Sequence, residues 1–125
     1  MVIAEDFVLI QEQMRELLQP DCEVVATVED GDAALEAVAA LHPDILVADV
    51  SLPGLNGFAV AEKLNRDQSK VDVIFVTAHS ERDYVERAFE IGVKGYVLKR
   101  AMRIELPAAI RAVIAGLRYR SPLIG

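Results

Sequence analysis

The sequence predicts an α/β domain built on a parallel sheet with helices on both faces. Two observations carry this. Short apolar runs alternate with amphipathic stretches from one end of the chain to the other, the pattern of repeated strand–helix–strand units. Polar residues also stand at the ends of four apolar runs. Glu5-Asp6 follows Val2-Ile3-Ala4, Asp49 follows Ile45-Leu46-Val47-Ala48, Thr77 follows Val73-Ile74-Phe75-Val76, and Lys99 follows Tyr96-Val97-Leu98. Ligands of open α/β sheets bind outside the carboxyl ends of the strands, so these residues are expected to line one pocket.

The first helix is expected from about Phe7 to Leu18. Phe7, Ile10, Met14, Leu17 and Leu18 share one face, while Gln11, Glu12, Arg15 and Glu16 point outward. Pro20 ends it. A second strand spans Glu23 to Val28. The second helix lies between Asp32 and Leu41, with Leu35, Val38 and Leu41 inward, and stops before Pro43. His42 reads as its terminator. The third strand runs from Asp44 to Val50. Pro53, Gly54 and Gly57 mark a loop, and a third helix follows from Phe58 to Asn65.

The fourth strand covers Val71 to Thr77. Ser80 with Asp83 gives an S-x-x-D start for a fourth helix, which ends near Gly92, a natural left-handed cap. The fifth strand is Gly95 to Leu98. The last helix presents Leu106, Ile110, Val113, Ile114 and Leu117 as one stripe. Pro107 suits only a first turn, which places the start near Ile104 or Glu105. Periodicity is lost from Arg118 onward, and Ser121-Pro122 reads as chain leaving the domain. The expected organisation is one domain over residues 1–118, with residues 119–125 as the beginning of a linker.

Composition narrows the class. A chain of 125 residues with 53% hydrophobic residues suits one domain with its own core. The net charge of −7 argues against direct binding of nucleic acid by this domain. No apolar run is long enough for a bilayer span, and the N-terminus lacks the pattern of a signal peptide. The single cysteine, Cys22, excludes an internal disulfide, suits a cytoplasmic location, and reads as a small, at least half-buried residue.

Three carboxylates in one cleft repel one another unless some are protonated or a cation joins them. An all-oxygen set without Cys or His favours a hard cation. Mg2+ needs only one or two carboxylates and keeps several waters, so it is expected here at Glu5, Asp6 and Asp49. A cation in such a cleft attracts phosphate. Phosphoryl transfer requires mainly positioning and charge neutralisation, which the cation and Lys99 supply. Thr77 can donate a hydrogen bond to a phosphoryl oxygen. Asp49 is the expected nucleophile, forming an aspartyl phosphate. Each residue alone has an ordinary reading: a turn Asp, a solvated Lys, a strand-end Thr, and His79 as a loop residue. Their joint placement at strand ends carries the functional one.

Taken together, these residues resemble the receiver domain of two-component response regulators over essentially the whole chain. The resemblance rests on Glu5-Asp6, Asp49, the Leu52-Pro53-Gly54-Leu55-Asn56-Gly57 loop, Thr77-Ala78 and Gly95-Tyr96-Val97-Leu98-Lys99. The segment Gly95 to Pro122 is similar to the NarL-type (LuxR-type) subfamily, whose receivers precede a helix-turn-helix DNA-binding domain. The resemblance implies a flavodoxin-like, doubly wound sheet of five parallel strands in the order 2-1-3-4-5. It implies Asp49 as phosphoacceptor, Asp6 and Asp49 as side-chain ligands of Mg2+ (Mn2+ can replace it), the Ser51 carbonyl as a further ligand, and Glu5 holding the metal through water. It makes Thr77 the switch hydroxyl, Lys99 the phosphate-pairing amine and Tyr96 the switch aromatic. Ser51 and His79 fall at positions that tune hydrolysis in relatives. Arg100 stands where many members have proline after the lysine, which bears on the geometry of that loop. The implied partners are a sensor histidine kinase or phosphotransfer protein. Self-association is expected through the fourth helix–fifth strand–fifth helix face or the first and fifth helices.

Movement of Thr77 toward a phosphoryl group is expected to open space for Tyr96 and so change the face that carries Arg82, Glu86, Arg87 and Lys94. The output is expected to be control of DNA binding; the alternative is a stand-alone receiver or phosphorelay intermediate acting through protein contacts. An aspartate-nucleophile phosphatase usually has a second Asp where this chain has Ser51. A flavin carrier should have a Ser/Thr/Gly-rich loop where this chain has Glu5-Asp6-Phe7.

Overall fold

The computed structural model describes residues 1–124. In chain order it contains β1 (Val2–Ala4), α1 (Val8–Leu18), β2 (Ala26–Val28), α2 (Gly31–Leu41), β3 (Ile45–Ala48), α3 (Gly57–Arg66), β4 (Asp72–Thr77), α4 (Arg82–Ile91), β5 (Gly95–Leu98), α5 (Met102–Ile114) and β6 (Tyr119–Arg120). A short 3-10 turn, Lys99–Ala101, joins β5 to α5. The sheet order is β2-β1-β3-β4-β5-β6 and every pairing is parallel. The five expected strands lie in the expected order. The structure adds a sixth, formed by Tyr119–Arg120 from the stretch that loses periodicity.

Strands buried on both faces read as continuous apolar runs, and β3 and β5 are buried along their whole length. Side chains alternate across the sheet and build two cores. Val2, Leu46, Phe75, Tyr96 and Leu98 pack toward α2, α3 and α4. Ile3, Val47, Ile74, Val76 and Val97 pack toward α1 and α5 with Met14, Leu106 and Ile110. Each large apolar side chain removed from water here contributes about 1.5–3 kcal/mol.

Helix ends show how local sequence sets element bounds. Asp30 caps α2, its carboxylate accepting from the Ala33 N–H at 2.7 Å. His42 ends α2 in the left-handed region, as its reading as terminator implies. Asn56 caps α3 through the Ala59 N–H at 2.9 Å. Gly92 closes α4 with φ 109°. The expected Ser80 start does not form; Glu81 is the N-cap of α4 and makes no side-chain cap bond.

Four apolar expectations are corrected. Phe7 is extended and precedes α1, so its ring leaves the helical face and is 62% exposed. Leu41 is the last residue of α2 and is 47% exposed. Ile114 is the last residue of α5. Leu117 lies beyond Gly116, which turns the chain with φ 82°. Both are exposed, at 69% and 62%. α5 also begins earlier than expected, at Met102, because the 3-10 turn feeds it directly. Pro107 therefore sits inside the helix. The Arg103 carbonyl loses its helical donor, and Arg103 is exposed, where water can replace it.

Candidate functional site

The ends of β1, β3 and β5 meet around one ammonium group. Lys99 Nζ lies 2.6 Å from Glu5 Oε1 and 2.7 Å from Asp49 Oδ2. Glu5 is wholly buried and Asp49 nearly so. The backbone fixes both acids. The Glu5 N–H donates to the Val28 carbonyl and the Asp49 N–H to the Ala4 carbonyl, extending the sheet ladder by one residue on each side. The Asp6 N–H donates to Glu5 Oε2 at 3.0 Å, and the Gln11 amide donates to the Glu5 carbonyl. The Ser51 N–H donates to Asp49 Oδ1 at 3.1 Å. Gly57 holds the following loop close: its N–H donates to the Val50 carbonyl at 2.7 Å, and a Cβ there would fall 2.6 Å from the Asp49 carbonyl oxygen.

Charge at the site is unbalanced. Three carboxylates, Glu5, Asp6 and Asp49, bring ligand oxygens within 4.8 Å of one another, and among the described residues Lys99 is the one amine hydrogen-bonded to them. Burial pushes the Glu5 carboxyl up to about 6, with Lys99 opposing and Asp49 and Asp6 adding to the rise. For Lys99, burial alone would lower the amine. Its bonds to Asp49 and Glu5 outweigh that and hold it above its ordinary range. Asp6 Oδ1 is buried with no hydrogen-bond partner among the described residues. A buried carboxylate oxygen left open, beside two more acids and no Cys or His, fits a hard divalent cation.

Thr77 is fully buried at the end of β4, and its hydroxyl accepts from the His79 N–H at 3.2 Å. Tyr96 is also fully buried, and its phenol donates to the His79 carbonyl at 2.7 Å. Burial raises the phenol well above its ordinary range. The inward position expected to follow movement of Thr77 is thus already occupied, since the His79 carbonyl supplies the partner a buried phenol needs.

His79 is the residue whose structural reach the sequence shows least. Its imidazole Nε2 lies 3.0 Å from Ser51 Oγ and its Nδ1 3.2 Å from Glu81 Oε2. Its ring also stacks on Tyr84 at 4.6 Å. Edge-to-face contacts continue from Tyr84 to Phe58 (5.5 Å), to Phe75 (5.5 Å) and to Tyr96 (6.2 Å), and the Tyr96 phenol bond to the His79 carbonyl brings the path back to His79. The one sequence signal was its position two residues after Thr77. Phe7 is a second residue not read as part of the site; its ring lies 5.7 Å from Lys99 Nζ. The Lys99-Arg100 loop is the 3-10 turn, and no peptide bond among the described residues is cis.

Residues 1–111 match the response regulator receiver domain. The chain belongs to the response regulator receiver family. This receiver is 32% identical over 125 residues to the transcriptional regulatory protein DegU of Brevibacillus brevis, covering 98% of this chain and 53% of that protein. It is 36% identical over 122 residues to the transcriptional regulatory protein DesR of Bacillus subtilis (strain 168), covering 96% and 60%. The chain thus spans little more than half the length of these curated relatives. A LuxR-family two-component response regulator from Aurantimonas sp. SI85-9A1 superposes with a TM-score of 0.92 at 31% identity, covering 98% of this chain and 89% of that one. The signal receiver domain of the putative response regulator NarL from Mycobacterium tuberculosis gives 0.87 at 31% identity, covering 92% and 94%. The receiver is of the NarL/LuxR type. Among the described residues no helix is long and apolar enough to cross a membrane.

Proposed function

We propose that this receiver takes a phosphoryl group from a histidine kinase or phosphotransfer protein onto the Asp49 carboxylate. An Asp49 oxygen attacks phosphorus, the bond from phosphorus to the donor nitrogen breaks, and an acyl phosphate forms. Asp6, Asp49 and the Ser51 carbonyl would hold Mg2+, with Glu5 acting through water. Bound there, Mg2+ supplies charge neutralisation to the phosphoryl oxygens. The observation that carries this reading is the Lys99 amine bridging Glu5 and Asp49 beside the unpartnered Asp6 Oδ1.

The residues of the chain do the rest. Lys99 exchanges its carboxylate partners for a phosphoryl oxygen. The Thr77 hydroxyl accepts from His79 but has its own proton free to donate. Ser51 and His79, joined at 3.0 Å, stand at the mouth of the pocket, where water reaches the acyl phosphate. The chain itself acts as a signalling phosphoacceptor of the cytoplasm, catalysing only its own phosphorylation and dephosphorylation. The names of DegU and DesR as transcriptional regulators, and their greater length, support an output through a DNA-binding domain.

Incubation with acetyl phosphate and Mg2+, followed by intact mass, tests this. The wild type is expected to gain one phosphoryl group; Asp49→Asn and a magnesium-free control are expected to gain none. A wild type that stays unmodified, or an Asp49→Asn variant that still gains the group, refutes the assignment.

A further inference from the structure

Residues 118–124 do not leave the domain as a free tail. Tyr119–Arg120 pairs in parallel with β5, opposite Gly95 and Tyr96. The Tyr119 N–H donates to the Lys94 carbonyl and the Ser121 N–H to the Tyr96 carbonyl, both at 2.9 Å. The segment then passes from one face of the sheet to the other. Tyr119 packs against the α1–α5 core, whereas Ile124 joins the opposite core, the one that contains Tyr96.

A buried polar pair fixes this path. Ser121 is 1% and Glu105 4% exposed, and Ser121 Oγ donates to Glu105 Oε2 at 3.0 Å. The other oxygen, Oε1, is buried without a partner among the described residues. Ser121 Oγ also accepts from the Leu123 N–H at 3.3 Å. A carboxylate buried in α5 costs free energy unless a donor reaches it, and that donor comes from the segment after β6. At its start the Arg118 guanidinium lies 5.9 Å from the Phe89 ring centroid of α4.

We propose that residues 119–124 form a strap that holds Tyr96 inward, so that the aromatic switch and the chain leaving α5 move as one unit. The backbone of Tyr96 carries the strap, and Ile124 helps fill the core in which its ring lies. Turning the ring outward leaves its backbone bond in place but empties volume in the core that Ile124 helps fill, so the coupling runs through Ile124, whose path the backbone bond and the Ser121–Glu105 pair fix. By reciprocity, pulling the strap away would favour an outward Tyr96. The strap stands on these contacts alone; its effect on the lifetime of a phosphoryl group rests on the proposed role of Asp49.

The test uses the full chain with carbon-13-labelled tyrosine rings, the Tyr96 signal being assigned with Tyr96→Phe. In Ser121→Ala and Ile124→Ala the Tyr96 signal is expected to move or divide. The Ser121 amide of Ile124→Ala should exchange at least about tenfold faster than in the wild type. Leu123→Ala, at an exposed position, should change neither. Ile124→Val replaces Ile124→Ala should the latter fail to fold. Folded variants whose Tyr96 signal and Ser121 exchange match the wild type overturn the strap. In a second arm the same proteins are loaded with acetyl phosphate, and loss of the group is followed by intact mass. A lifetime altered at least about threefold in the strap variants is expected. A displaced Tyr96 with an unchanged lifetime overturns the coupling to the pocket. A wild type that never loads counts against Asp49 as acceptor, while the ring signals still decide the strap.

Discussion

Glu5 shows how one buried acid ties the pocket to stability. Its carboxyl is raised from the ordinary 4.5 to about 6, chiefly by burial. A raised acid stabilises the fold in its protonated form. That contribution is complete below about 4.5 and is lost as pH rises through about 6. A divalent cation can take the place of the proton, so metal and proton compete. Saturating Mg2+ is therefore expected to raise the melting temperature more at about pH 8 than at about pH 5. Equal shifts at the two pH values would show that Glu5 is not coupled to the cation. Gly31 makes a second prediction at this scale. A Cβ there would lie 2.0 Å from the Leu55 carbonyl oxygen, and backbone cannot yield as a side-chain tip can. Gly31→Ala should cost about 1–3 kcal/mol in chemical denaturation. The polar residues at the strand ends were readable because the chain alternates cleanly and the pocket of such a sheet has a fixed address. The bond from the Tyr96 phenol to the His79 carbonyl was not, since it joins residues 17 apart in sequence through a backbone oxygen.

Among the elements, helix caps offer a matched contrast. Asp30 caps α2 with its side chain, whereas Ser80 lies outside α4 and caps nothing. Asp30→Ala is expected to lower stability by about 1 kcal/mol and Ser80→Ala to leave it within about 0.5 kcal/mol. Equal losses in urea titrations would contradict the cap assignment. Pro107 makes a prediction of opposite sign. Pro107→Ala restores a donor for the Arg103 carbonyl and should stabilise α5 by about 1–2 kcal/mol, less than the full helical penalty of proline because proline also restricts the unfolded chain. Periodicity found the buried face of α5 from Leu106 to Val113 but overran its end. Ile114 and Leu117 continue the apolar count, while the left-handed turn at Gly116 ends the helix geometry on which that count depends. β6 was invisible for a related reason. Two residues carry no period, and the strand is specified by Ser121, Glu105 and the edge of β5.

At the scale of the whole molecule, the circuit made by the ring contacts and the Tyr96 phenol bond to the His79 carbonyl spans the sheet, α3, α4 and the loop after β4. The chain has no tryptophan and three tyrosines. Two of them, Tyr84 and Tyr96, belong to that circuit, and Tyr119 lies outside it. Near-ultraviolet circular dichroism of the unlabelled protein is thus an optical gauge of one region, because asymmetrically packed aromatic chromophores generate the signal. Displacement of Tyr96 in the strap variants is expected to change that signal, with Tyr119→Phe subtracting the remaining phenol and nothing attached to the protein.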